Sequence, residues 1–405
     1  MAVAIPLSPR TANRGGDVLS AGRSPEEVGL GTFRFLLALA VVVSHAGGLW
    51  GRRYMDGLMA VQCFYMVSGF LISLILSGKY DTSTPSGLRL FYTNRALRIF
   101  VPYWTFFLVI ATVQAIYGWG PPIEFMRHWH EMDLLTRLYL VSTNTLIVGQ
   151  EWMMWLVYDH GSLQPVWSSD WAQPHLNIFF VIPQAWSMSL ELMFYALAPL
   201  LVRRHWLVLL AYIVASYVAR KLLMVYGFDG SGFVYRFFPV ELGLFLAGVL
   251  AHRAYAFFKA RWGVVHIAFA ASVTAMLIAM MFVMRYWDFW ESHRFYALVA
   301  IALPSLFVVS QRSAFDRWLG ELSYPIYLCH LGVLEIGSVV AAAAFGPVQD
   351  RDMLMLVLVI ATVVVSAVYV YWIDAPFDRW RQRRVAQAAS ATLAPPSLAP
   401  VLERG

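Results

Sequence analysis

The chain has 405 residues, 60% of them hydrophobic and only 13% charged, with a formal net charge of +6. Soluble domains carry about 45–50% apolar residues, so a water-soluble fold could not hide this much apolar surface. The arginines lie mainly between apolar stretches rather than in one patch, which makes them juxtamembrane charges that set topology and argues against a nucleic-acid partner.

Residues 1–30 hold Arg10, Arg14 and Arg23 among Gly, Ser and Pro with no apolar core, a flexible cytoplasmic tail rather than a signal peptide. Apolar spans are predicted at 33–50, 57–77, 99–118, 178–202, 205–225, 235–255, 262–284, 293–311, 322–345 and 352–373. Between the third and fourth lies a Trp-rich polar region, 119–177, in which LYLVSTNTLIVG (138–149) is apolar enough for a re-entrant or interfacial helix, or for an eleventh span. Positive charge arbitrates. Ten spans with a cytoplasmic N-terminus leave 19 Lys and Arg inside and 10 outside, with Arg34 set aside as membrane-embedded, whereas eleven spans leave 13 inside and 16 outside. The fold class is therefore an all-α polytopic bundle of about ten transmembrane helices over residues 31–380, both termini cytoplasmic and 119–177 outside. The remainder, 381–405, is basic (Arg379, Arg381, Arg383 and Arg384 mark its start) and then a disordered polar tail. Cys63 and Cys329 both fall inside spans, which implies no disulfide framework.

Polar groups within spans mark cavities or reacting sites. Arg34 and His45 are eleven positions apart, which at 100° per residue puts them within about 20° of one helical stripe and about 16 Å apart along the axis. A cationic mouth beneath a mid-membrane imidazole suits an anionic ligand that enters from the cytoplasm and reacts deeper in. The same spacing also describes a snorkelling arginine and a packing histidine. Arg95 and Arg98, spaced i, i+3, can grip phosphates, or simply end a helix at the cytoplasmic surface. In WSMSLELMFY (186–195), Glu191 must be neutral, paired or exposed to a cavity, with Ser187 one turn before it. Tyr324, Tyr327 and His330 share one face of the ninth span. Seven tryptophans over 119–186 (Trp119, Trp129, Trp152, Trp155, Trp167, Trp171 and Trp186) suit interfacial anchoring and also the flat faces of sugars.

Together these elements resemble the acyltransferase-3 family of membrane O-acyltransferases. FRFLLALAVVVSH (33–45), CFYMVSGFLIS (63–73), FYTNRALRIFVPYW (91–104), WSMSLELMFY, YRFFPVELGLFLAG (235–248), LSYPIYLCHL (322–331) and WIDAPFDRW (372–380) are similar to its motifs, in order. Met188 and Leu192 depart from common family choices, and Asp374 stands where the family has Glu. The form expected is the membrane-only one, without an extracellular hydrolase-like domain. The resemblance implies transfer of an acyl group, generally acetyl, from acyl-CoA to a hydroxyl of a surface polysaccharide, lipid-linked sugar or oligosaccharide. It implies no tightly bound cofactor and no metal, and a cell membrane, the bacterial inner membrane, as the location. By position it makes His45 the catalytic base or acyl carrier, Arg34 the group that orients the donor, and Arg95 and Arg98 its phosphate ligands. Glu191 then orients a reacting group. Ser68, Gly69, Trp186, Ser187, Tyr324, Tyr327 and His330 line the cavity, the Tyr324 hydroxyl or a serine serving the oxyanion. A transporter of a glycan or anionic molecule is the competing reading, disfavoured by the lack of an internal repeat.

Overall fold

The computed structural model describes residues 29–383 apart from 53, 79, 167–175, 229–230, 260–263, 284–291, 347–349 and 382. Trp167 and Trp171, residues 1–28 and the tail from 384 lie outside the described residues. The helices are α1 (Gly31–His45), α2 (Gly57–Gly78), α3 (Pro85–Tyr117), α4 (Pro121–His128), α5 (Leu134–Leu146), α6 (Trp186–Leu201) and α7 (Trp206–Val225). They continue as α8 (Ser231–Tyr235), α9 (Phe238–Phe258), α10 (Val264–Val283), α11 (Ser292–Ser310), α12 (Ala314–Phe345) and α13 (Arg351–Tyr369). Seven described helices are long and apolar enough to cross a membrane, and Gly31–His45 and His266–Phe282 are apolar but shorter.

Two parallel, close crossings hold the bundle. On α2 and α9, a Cβ at Gly69 would sit 1.9 Å from the Phe245 carbonyl oxygen, and one at Gly248 would sit 1.9 Å from that of Met66. Small residues let helix backbones approach where no hydrophobic effect drives them together. Neither carbonyl can rotate away. Gly69→Ala is therefore expected to destabilise the protein by about 1–3 kcal/mol of overpacking, read as a lower Tm in detergent. An unchanged Tm would show that the crossing is looser than drawn.

The second crossing joins α1 to α12. The first turn of α1 has N–H groups without intrahelical acceptors. Asp316, itself in the first turn of α12, takes two of them: Gly31 N donates to its Oδ2 at 2.8 Å and Thr32 N to its Oδ1 at 2.7 Å. Ser313 in turn caps α12 by accepting from Asp316 N at 3.1 Å.

Several predicted boundaries are corrected. The first span runs past 45 in sequence, but α1 stops at His45, and Gly47 and Gly48 follow with φ of 83° and 89°. The fourth begins at Trp186, because 176–179 and 183–185 form 3-10 turns around Pro183. The third and ninth are longer than their apolar stretches: α3 has 33 residues and α12 has 32. At 1.5 Å per residue each approaches 50 Å, against a hydrocarbon core of about 30 Å. Their extra turns carry Arg89, Arg95 and Arg98 on α3 and Arg317 on α12, before the apolar stretches begin.

The all-α expectation also needs one amendment. Leu156–Asp159 (β1) pairs antiparallel with Ser162–Pro165 (β2). The connecting His160 and Gly161 both have positive φ, 43° and 86°, as a tight hairpin turn demands. Within the same region α5 has 13 residues, about 20 Å, too few to span. Its C-terminal end meets α3, where the Tyr103 hydroxyl donates to Asn144 O at 2.6 Å and Trp104 Nε1 to Thr145 O at 2.9 Å.

Candidate active site

A cavity of about 220 Å³ runs between α1, α2, α3, α6 and α12 and is lined at one end by Asp374, Ala375, Asp378 and Arg381. One end is strongly basic. Arg34, Arg95, Arg98, Arg317 and Arg381 line it, with Glu321, Asp374 and Asp378 among them, and Arg381 is ion-paired to Asp378. The buried Nε groups of Arg95 and Arg317 have no hydrogen-bond acceptor, so both guanidinium groups hold donors in reserve for a ligand.

Three sequence expectations meet in the middle of the cavity. Arg34, from α1, lies against Gly320 of α12, and Glu191 is among the charges closest to it. Glu191 accepts from the Ser68 hydroxyl at 2.6 Å and from the Tyr195 hydroxyl one turn along α6. The carboxylate is thus held by α2 and α6 and faces a cationic space, which resolves the cost of its depth.

At the inner end the hydroxyls of Ser187 and Tyr327 lie 2.6 Å apart, and that of Tyr327 donates to Gln184 O at 2.9 Å. Tyr327 lines the cavity, whereas His330 does not. Beyond it stands His330, fully buried, its ring centre 5.8 Å from that of Tyr327 and 5.0 Å from that of His45. His45 itself is exposed. Its Nδ1 lies 2.9 Å from Val41 O, and the Nδ1 of His330 lies 2.7 Å from Tyr327 O. A carbonyl oxygen only accepts, so each Nδ1 carries a proton, and the lone pair of either ring, when neutral, is on Nε2. Nε2 of His330 has no partner. Two imidazoles therefore stand side by side between Tyr327 and the exposed end of α1.

This corrects the expectation of a single cavity joining Arg34 to His45 in mid-membrane. The two residues do face the same neighbour, α12, Arg34 at Gly320 and His45 at His330. Only Arg34 lines the cavity, and His45 ends its helix. Gly69 does not line it either; its place is the α2–α9 crossing. Trp186 faces away toward Tyr235 and Arg236. Tyr324 does line it, but its hydroxyl donates to Ile99 O at 2.9 Å and is not available to an oxyanion. Sequence reasoning missed Arg317, Glu321, Asp378 and Tyr65. Arg317 and Glu321 lie on the N-terminal extension of α12, and a helix longer than its apolar stretch leaves no signal in hydropathy. Among the described residues no group of three His, Cys, Asp or Glu side chains could hold a metal, and both cysteines are buried and free.

A family model described as an acyltransferase domain matches residues 27–372. The chain belongs to the acyltransferase-3 family. It is also similar to a peptidoglycan O-acetyltransferase, OatA, of Listeria monocytogenes, with 23% identity over 371 residues. That alignment takes in 85% of this chain but 55% of the relative, so this acyltransferase-3 chain spans about half the length of the curated relative it matches. No solved structure matches it. Family membership and the seven apolar helices make it a multi-pass membrane protein.

Proposed function

We propose that the protein is a bacterial inner-membrane O-acyltransferase that moves an acetyl group from cytoplasmic acyl-CoA to a hydroxyl of a carbohydrate acceptor, a surface polysaccharide or lipid-linked sugar. In this reading ten helices span, the seven long ones with α1, α6 and α10, and both termini are cytoplasmic. Residues 119–177 lie outside, with α5 re-entrant. The observation that carries the proposal is the single cavity that begins at five arginines and ends one residue, Tyr327, short of paired imidazoles. Acyl-CoA is a cytoplasmic polyanion with its thioester at the end of a long arm. Arg34, Arg95, Arg98, Arg317 and Arg381 suit its phosphates. The arm would fill the cavity past Glu191, and the thioester would reach the imidazoles past Tyr327.

The transfer step follows from the tautomers. Nε2 of His45 takes the proton from the acceptor hydroxyl as its oxygen bonds to the acyl carbon. The carbon–sulfur bond then breaks, and the imidazolium returns the proton to the departing CoA thiolate. That the relative is named for peptidoglycan supports a carbohydrate acceptor reached from the exposed face of His45.

Inverted vesicles supplied with labelled acetyl-CoA test this reading. Label is expected in carbohydrate on the far face, and Arg95→Gln is expected to raise KM for acetyl-CoA roughly tenfold, one charge-assisted hydrogen bond, with kcat little changed. Passage of an unmodified glycan with no label transferred would make the protein a transporter instead.

A further inference from the structure

Two arginines near α9 are almost fully buried, and they are treated in opposite ways. Arg220, 9% exposed, is paired to Glu241 at 2.8 Å, and Gln62 Nε2 donates to the same carboxylate at 2.9 Å. Arg236, 6% exposed, has no ion pair among the described residues and lies over aromatic faces: its guanidinium carbon is 4.3 Å from the centre of the Trp186 ring and 5.4 Å from that of Tyr235. Rings satisfy the face of a guanidinium and leave its edge N–H groups open. Nε and Nη1 of Arg236 have no acceptor.

The neighbouring segment repeats the pattern. Gln150 is fully buried with neither amide atom bonded, and the carboxyl of Glu151, 1% exposed, has only Ser189, Trp152 and the backbone of Gly149 close to it and no well-formed hydrogen bond. Burial pushes the Glu151 carboxyl up from its ordinary range. The indole N–H of Trp155 is also open, its ring stacked on Phe233 at 4.9 Å. The segments that carry these groups touch one another. Gly149 N donates to Ser189 Oγ at 3.1 Å, one turn along α6 from Trp186, and a Cβ on Gly232 would lie 2.6 Å from Trp155 Nε1. Buried polar atoms are paired in about 90% of cases or more. Here a cation, a carboxyl, an amide and an indole are all open together.

We propose that this patch binds a sugar carrying an oxyanion, with Arg236 holding the carboxylate or phosphate and Gln150, Glu151 and Trp155 meeting the hydroxyls. Arginine forms charge-assisted bonds to either oxyanion, whereas amide and carboxyl groups read sugar hydroxyls in both directions. The inference rests on the carbohydrate acceptor proposed above and adds that the acceptor is acidic.

Tryptophan-fluorescence titrations of the full chain in detergent test it, using an oligogalacturonate, its methyl ester and glucose 1-phosphate. At least one anionic probe is expected to bind about tenfold or more tighter than the neutral ester, the scale of a charged hydrogen bond. A tighter oligogalacturonate identifies a carboxylate, and a tighter sugar phosphate identifies a phosphate. Arg236→Gln is expected to erase the preference and Arg236→Lys to keep part of it, both with acetyl-CoA binding unchanged. Should Arg236→Gln not fold, the wild-type ratio and the Lys variant decide alone. Equal affinity of wild type for all three probes, binding of none, or a preference that survives in Arg236→Gln would overturn the proposal. Anion preference without any acetyl transfer would leave this site standing and remove the transferase reading; transfer without anion preference would do the reverse.

Discussion

His45→Ala is expected to lower acetyl transfer by about 10²–10⁴-fold, the usual scale for removal of a general base, while acetyl-CoA binding stays as it was. The separation follows from the geometry. The arginines that suit the donor line the cavity, and His45 lies outside it, past Tyr327 and His330. Single-turnover transfer from labelled acetyl-CoA, with CoA affinity measured in parallel, checks both halves. His330 holds an unpartnered Nε2 on the ring next to His45, so the two rings are expected to act as a unit. The double variant His45→Ala/His330→Ala should then be little worse than His45→Ala alone, because groups that share one step are not additive. Transfer that is equal in wild type and His45→Ala would take the imidazole out of the chemistry, and loss of CoA binding would mean that the cavity and the histidines are one compartment.

Glu241→Ala is expected to cost about 3–5 kcal/mol, the loss that follows when one partner of a buried ion pair is removed. Glu241 is fully buried, and its carboxylate is met by Arg220 and by Gln62 Nε2 at 2.9 and 3.2 Å; the Gln62 carbonyl oxygen in turn accepts from the Tyr296 hydroxyl. The network ties α7, α9, α2 and α11 together. Removing the carboxylate leaves a guanidinium with no counter-charge between apolar helices, whereas the double variant Arg220→Met/Glu241→Leu keeps volume and removes both charges. Its Tm in detergent should recover most of the loss. A Glu241→Ala protein with the wild-type Tm would mean that water already reaches the pair.

The distinction between Glu241 and Glu191 was not available from the chain alone. Both are single acidic residues in apolar stretches, and YRFFPVELGLFLAG gives no sign that its Glu meets an arginine on α7. Glu191 faces the cavity and Glu241 faces a partner, a difference made by which helices stand next to them.

What the chain determined unaided is the layer it lives in. Uninterrupted apolar runs set where helices must cross, the i, i+3 spacing of Arg95 and Arg98 set a shared face, and the eleven-residue interval from Arg34 to His45 set a common neighbour, which proved to be α12. Periodicity defines a face of one helix, and nothing more. Axial extent escaped it, because α1 ends at two glycines with positive φ and α3 and α12 run on through polar turns that hydropathy does not record. Convergence escaped it too: that Gly69 serves a crossing, that Tyr327 divides His330 from the cavity, and that Arg220 is paired while Arg236 is open. Those outcomes depend on contacts between helices far apart in the chain, and only packing in three dimensions decides which polar groups find a partner and which are left to hold a ligand.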